Sequence, residues 1–243
     1  MTILAVIPAR HASSRFPGKP LALIAGRPMI RHVWDRVRQC RRLDAAVVAT
    51  DDERIAAFCC AEGMDVVMTS PGHATGTDRV AEVARLRPAG IYVNIQGDEP
   101  LIAPASVDAV TRCLEEALPR GIGVSTAYIP GATEEQLAST SCVHLVPTLD
   151  GCVMAFSRLP IPCPFGEAMP RTVHVGLYAF TGQALRDFAA RPRGPVERAE
   201  SIELMRFLEH GDRIACVPVA PGSIGVDRPE DVALVEAMLA AGR

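Results

Sequence analysis

No apolar stretch of the roughly 18 residues that a membrane-spanning helix needs occurs in the 243-residue chain. There is no Cys-x-x-Cys pair. The eight cysteines (Cys40, Cys59, Cys60, Cys113, Cys142, Cys152, Cys163 and Cys216) are scattered through apolar segments. That distribution argues against a zinc site or a disulfide framework and for buried, reduced thiols. The formal net charge of -3 gives no general attraction to nucleic acid, so any anion site must be local. No internal repeat, low-complexity tract or flexible linker is present. The N-terminus enters an apolar run at once, without a basic leader and cleavage site, and the expected location is the cytoplasm. Neither Gly-x4-Gly-Lys-Ser/Thr nor Gly-x-Gly-x-x-Gly occurs, which removes the ordinary P-loop and dinucleotide readings.

What is present is a globular composition, 49% hydrophobic and 22% charged, long enough for one α/β unit with an appended subdomain. Residues 3–7 form a β-branched run ended by Pro8-Ala9-Arg10. A polar loop follows, with Arg10, Arg15 and Lys19 inside ten residues and Gly18 beside the lysine. Open α/β sheets hold ligands at the carboxyl ends of such strands. Arginines grip oxygens bidentately and a lysine acts as a point charge, so the loop suits a polyphosphate. Taken alone, it is equally a solvated basic loop between a strand and a helix.

Pro28 is placed at N1 of a helix whose Ile30, Val33, Trp34 and Val37 share a face. Strands at 45–49 and 65–69 flank a helix opened by Thr50-Asp51-Asp52-Glu53 and stopped by Gly63. This β-α-β-α-β alternation predicts a parallel sheet with right-handed crossovers. The hydroxyl-rich loop 70–79 leads into a helix with Thr77 or Asp78 as expected N-cap; its backbone also suits reading a nucleobase edge. A strand at 91–95 ends in Gln96-Gly97-Asp98-Glu99-Pro100. Asp98 there is placed to hold Mg²⁺ against phosphates, or serves as a turn residue. From Gly123 onward, strands at 124–129, 143–147 and 152–156, with a turn at Asp150-Gly151, break the alternation and predict a smaller β-rich subdomain. A strand through 174–178, one helix over 197–209, a strand at 214–219 and a final helix starting with Pro229 at N1 complete the chain.

Together these stretches resemble the bacterial 3-deoxy-manno-octulosonate (Kdo) cytidylyltransferases, or CMP-Kdo synthetases. The matching pieces are Ile7-Pro8-Ala9-Arg10 with Ser13-x-Arg15-x-Pro17-Gly18-Lys19-Pro20, Val48-Ala49-Thr50-Asp51 and His73-x-x-Gly76-Thr77-x-Arg79. They continue with Asn94-x-Gln96-Gly97-Asp98-Glu99-Pro100, Phe156-Ser157-Arg158 and Gly225-Val226-Asp227-x-Pro229-Glu230-Asp231. The resemblance is strong over 3–110 and looser over 120–215. It implies an α/β, Rossmann-like nucleotidyltransferase (nucleotide-diphospho-sugar transferase) fold: a mostly parallel sheet with helices on both faces plus a small mid-chain β-rich subdomain. Residues 1–243 would form a single domain, with a CTP-binding core at 1–120, an acceptor and dimerisation subdomain at about 121–185, and a return to the core at 186–243.

The activity implied is transfer of CMP from CTP to an acidic acceptor with release of pyrophosphate, with Mg²⁺ as cofactor and a homodimer as assembly. Pro8, Ala9, Arg10, Ser13, Lys19, His73, Thr75, Gly76, Arg79 and Gln96 would bind the nucleotide. Arg10, Lys19, Asp98 and Asp227 would be catalytic, the two aspartates as metal ligands. Gln96, His144, Arg158, His174, Tyr178 and Glu203 would bind the acceptor. The chain departs from the family where Asn-x-Val-Lys is replaced by Ser141 and His144, where a Glu-Gln pair becomes Glu203-Leu204, and in a shorter segment between Arg158 and His174. Lost hydrogen-bonding groups cost roughly 1 kcal/mol or more each. Two acceptor readings therefore stand: Kdo or a related sugar acid, and a small phosphonate such as phosphonoformate, with His144 gripping the anion. A CTP-binding module without turnover, or a related transferase using another base or sugar, are the rival classes.

Overall fold

The computed structural model describes residues 1–12, 15–167, 169–222 and 224–241; Ser13, an expected nucleotide ligand, lies outside them. The chain forms two compact units, residues 1–108 with 222–243, and residues 109–221.

The first unit begins with β1 (Ile3–Ala9), buried along nearly its whole length, as an apolar strand covered on both faces must be. A small hairpin of β2 (Leu23–Ile24) and β3 (Arg27–Pro28) follows. Its Ala25 and Gly26 both have positive φ, as a tight primed turn requires. Pro28 pairs with Leu23, stays extended and becomes the N-cap of α1 (Met29–Val37), not its first helical residue. The expected face of Ile30, Val33, Trp34 and Val37 is buried. Next come β4 (Ala45–Thr50), α2 (Glu53–Ala61) capped by the Asp52 carboxylate, and β5 (Val66–Met68). They are followed by α3 (Gly76–Leu86) and β6 (Ile91–Ile95). The cap of α3 is Thr75, upstream of the expected Thr77 or Asp78. Its hydroxyl accepts from Asp78 N at 3.1 Å, and Asp78 Oδ2 accepts from Thr75 N at 3.0 Å, a reciprocal box that fixes the helix start.

The four strands of this unit's main sheet are parallel, in the order β6-β1-β4-β5. The chain moves outward from β1 to β4 and β5, then crosses back to β6. That reversal opens a crevice at the carboxyl ends of β1 and β6, where doubly wound sheets bind ligands.

Helix α4 (Pro104–Ala117) leads into the second unit. This contains β7 (Val124–Pro130), α5 (Glu134–Ala138), β8 (His144–Pro147), β9 (Val153–Ser157) and β10 (Thr172–Thr181). It continues with α6 (Gly182–Ala190), α7 (Pro195–Glu200), α8 (Met205–Glu209) and β11 (Ala215–Pro218). β7 pairs parallel with β11 and antiparallel with β10, while β8 joins β10 to β9. The strand-rich block is where the sequence placed it. The single helix expected over 197–209 is two, because Ser201 adopts φ 52° and Arg158 takes up the carbonyls of Glu200 and Ser201. The chain then returns to the first unit with α9 (Asp231–Ala240). Pro229 sits before this helix, since the Asp231 carboxylate accepts from Asp227 N and Arg228 N at 2.8 Å and folds 227–230 into a turn.

Candidate active site

The cleft is built where β1 and β6 end. At Gly97 a Cβ would stand 2.6 Å from the Pro8 carbonyl oxygen, so only glycine lets the exit of β6 pass against that of β1. Gly18 adopts φ 72°, and its N–H donates to the His11 carbonyl at 2.9 Å, a left-handed turn that delivers Lys19. Val226 is buried in an apolar cluster with Ile24, Met29, Leu101 and Val235, against which Phe16 packs. Its N–H donates to the Asp98 carbonyl at 2.8 Å, which brings Asp227 beside Asp98.

Lys19 Nζ donates to Asp98 Oδ2 at 2.5 Å and to the Val226 carbonyl at 2.9 Å, and lies 3.5 Å from Asp227 Oδ1. Arg15 reaches the same Asp227 oxygen at 3.1 Å. Pro8, Ala9, Arg10, Lys19, Asp98 and Asp227 line one cleft of about 190 Å³. His73, Thr75, Gly76, Arg79 and Gln96 line it too. Every expected nucleotide and metal residue that the structure describes is therefore gathered in this place.

Two carboxylates converging on an ammonium mark a point where the protein's field favours a cation. Among the described residues no third His, Cys, Asp or Glu completes a metal-binding group. Hard oxygen donors, only two of them, suit Mg²⁺, which keeps several waters and takes phosphate oxygens from its substrate.

Two further carboxylates set the cationic side of the cleft, and the sequence reading did not single them out. Asp51, just past β4, pairs with Arg79 at 3.0 Å. Arg79 also donates to the Thr69 hydroxyl. Burial pushes the Arg79 guanidinium below its ordinary value, and Asp51 opposes that shift. Glu82 accepts from Ser70 N at 2.9 Å and binds the His73 ring. Burial acts to raise the Glu82 carboxyl, but the hydrogen bonds from His73 and Ser70 outweigh it and hold it below the usual carboxylate range. The available signals were the carboxylate at a parallel strand's exit and the three-residue helical spacing of Arg79 and Glu82 on α3.

The remaining expected residues lie in the second unit, apart from Gln96. His144 is fully buried, with Nδ1 against the Thr172 carbonyl at 3.1 Å, so its ring is not presented to an incoming anion. Leu204 is equally buried. Arg158 spends its guanidinium on backbone carbonyls: Glu200 at 2.5 Å, Thr140 at 2.9 Å, and Ser141 and Ser201 at 3.3 Å. His174 meets the Thr126 hydroxyl at 2.9 Å and stacks on Tyr178, with ring centroids 5.6 Å apart. Burial pushes its imidazole down to about 3. Glu203 lies in the turn between α7 and α8, its carbonyl accepting from Arg206 N at 3.2 Å.

Residues 4–214 match the family model described as cytidylyltransferase. The chain is 46% identical over 244 residues to the 3-deoxy-manno-octulosonate cytidylyltransferase of Anaeromyxobacter sp. (strain Fw109-5), covering 99% of this chain and 98% of the relative. It is 46% identical over 241 residues to the enzyme of that name from Myxococcus xanthus (strain DK1622), covering 98% and 96%. Among solved structures, CMP:2-keto-3-deoxy-manno-octonic acid synthetase complexed with CTP superposes with a TM-score of 0.94 at 36% identity, over 100% of both chains. A putative glucose-1-phosphate thymidylyltransferase from Bacillus anthracis, 12% identical with a TM-score of 0.68 over 98% of this chain and 95% of that one, shares the fold alone.

Proposed function

We propose, because the chain belongs to the 3-deoxy-manno-octulosonate cytidylyltransferase family, that it transfers CMP from CTP to Kdo and releases pyrophosphate. The observation that carries this reading is Lys19 held between Asp98 and Asp227 at the exits of β1 and β6. That arrangement combines a phosphate-binding cation with a two-carboxylate metal site.

In-line attack of an acceptor oxygen on the α-phosphorus leaves charge on the bridging oxygen as pyrophosphate departs. Arg10 and Lys19 would be donors for that charge, Lys19 held in place by Asp98 and the Val226 carbonyl, and preorganised donors count most where water is excluded. Asp98 and Asp227 would hold Mg²⁺, which neutralises phosphate charge and orients the α-phosphate when bound. Thr75, Gly76 and Arg79 form the base-facing wall, with Arg79 immobilised by Asp51 and Thr69. His73 is kept in place by Glu82.

Kdo is favoured over a small phosphonate because the two departures from the family pattern are packed into the protein. His144 and Leu204 are both fully buried, so neither forms a new anion pocket. Arg158, His174, Tyr178 and Glu203 serve the acceptor side. The enzyme acts in the cytoplasm as a homodimer. The exposed apolar side chains of Leu149, Met154, Leu159 and Phe165 in the second unit support an interface there. Pyrophosphate release from CTP and Mg²⁺ tests the reading: it must require the sugar acid. CTP binding without release in the presence of any acid acceptor would instead support a binding module.

A further inference from the structure

His174 and Tyr178 are four residues apart on β10. On a regular strand that spacing is about 13 Å, yet their rings stack with centroids 5.6 Å apart. A bulge brings them together. Val175 pairs with Ala127 and Tyr178 with Thr126, so Gly176 and Leu177 leave the β7 ladder between them and the strand bends. Phe156 of β9 meets the same imidazole in a T-shaped contact, ring centroids 4.9 Å apart. Packing from two sides therefore fixes the plane of the His174 ring.

The bulge also frees the Leu177 carbonyl. It accepts from the Thr126 hydroxyl at 3.0 Å, and the same Thr126 oxygen lies 2.9 Å from His174 Nε2. A hydroxyl carries one proton and a carbonyl none, so the Thr126 proton goes to Leu177. The reverse assignment would set the lone pairs of two oxygens against each other at 3.0 Å. Thr126 is fully buried, where such a mismatch costs most. His174 Nε2 must then carry the hydrogen and donate to Thr126. In a neutral imidazole the other nitrogen is bare, and burial keeps this ring neutral by holding its pKa down to about 3. Nδ1 has no hydrogen-bond partner among the described residues, and the ring is only half-buried. A lone pair of fixed direction is left for a donor.

We propose that Thr126 is a positioning residue for the acceptor: it locks His174 in the Nε2–H tautomer, so that Nδ1 accepts a hydrogen bond from an acceptor hydroxyl and turns away a carboxylate. This role rests on the acceptor-side reading of His174 proposed above. A carboxylate brings only lone pairs, so the acid group of the acceptor is read elsewhere and His174 selects for hydroxylation. A site built to pair with a substrate hydroxyl rejects an analogue lacking it far more strongly than an apolar pocket rejects a missing methylene.

The test begins with nitrogen-15 resonances of the full-length protein labelled in its histidines, with His174 assigned by comparison with His174→Gln. A bare imidazole nitrogen resonates well downfield of a protonated one, and Nδ1 is expected to be the downfield nitrogen of His174. In Thr126→Val the lock is gone: both tautomers appear, and KM for Kdo rises about tenfold while KM for CTP is unchanged. Thr126→Ser keeps the hydroxyl and restores both the single tautomer and the wild-type KM. Circular dichroism establishes that each variant is folded. A bare Nε2 in the wild type, a wild-type KM for Kdo in Thr126→Val, or an equal rise in both KM values would overturn the assignment. Should the wild type release no pyrophosphate with Kdo, the proposed activity fails by itself. Saturating Kdo then decides the role of Thr126: an upfield move of Nδ1, as on accepting a hydrogen bond, supports it, and an unmoved resonance overturns it.

Discussion

The ammonium of Lys19 lies 2.5 Å from Asp98 Oδ2, so the cation and one of the two carboxylates proposed to hold Mg²⁺ hold each other before any substrate arrives. Asp98→Asn removes that charge while keeping the side chain's shape. The expected result is a fall in kcat of about 10²–10³, the usual cost of losing one electrostatic group at the reacting phosphate, with an unchanged circular dichroism spectrum. Chelation of divalent metal should abolish turnover of the wild type, and added Mg²⁺ should restore it. Full activity in excess chelator would contradict the assigned role of Asp98 and Asp227.

Asp51 is expected to act on the nucleotide through Arg79. Asp51→Asn leaves a buried guanidinium without its counter-charge, and breaking a buried pair costs about 3 kcal/mol. The variant should unfold at lower urea concentration and show a raised KM for CTP. Its KM for Kdo should stay the same. Equal changes in both constants would mean that the pair only supports the fold.

His174 sets a pH dependence of stability. The folded protein holds its imidazole neutral down to about 3, whereas in the unfolded chain it titrates near 6.5. Below about pH 6.5 the unfolded chain therefore binds a proton that the native one does not, and stability declines as pH falls. The loss from this group reaches about 2 kcal/mol by pH 5. Urea unfolding at pH 7 and pH 5 measures it, and His174→Gln should flatten the difference. An identical slope in the variant would place the effect elsewhere.

Arg158 ties the 140–141 segment to the turn between α7 and α8 through four backbone carbonyls. Arg158→Lys keeps the charge but not the planar fork that reaches both segments. We expect KM for Kdo to rise roughly tenfold or more, at about 1 kcal/mol per lost hydrogen bond, while KM for CTP is unchanged. A lysine variant with wild-type KM would show that charge alone suffices.

Where one short-range rule decided the outcome, the sequence was readable. The buried parallel strands announced themselves as unbroken apolar runs, and the residues at the exits of β1 and β6 carried the cleft. Errors arose where a distant partner decided. Pro28 is a hairpin residue because Leu23 pairs with it. Pro229 stands outside α9 because the Asp231 carboxylate folds the chain before the helix begins. The helix over 197–209 breaks because Arg158, distant in sequence, takes its carbonyls. Asp51 and Glu82 were passed over for the same reason: their partners Arg79 and His73 become neighbours only after folding. His144 read as an acceptor-side residue gripping an anion, yet the pairing of β8 with β10 puts it in the core.

The most direct test of the account is the specificity ratio between acceptors. Pyrophosphate release from CTP and Mg²⁺ would be followed with Kdo and with phosphonoformate, and kcat/KM compared. A site that hydrogen-bonds a polyhydroxylated acid should prefer Kdo by at least about 100-fold. A higher kcat/KM for phosphonoformate would contradict the assignment and mean that the CTP site of this family has been given a different, smaller acceptor.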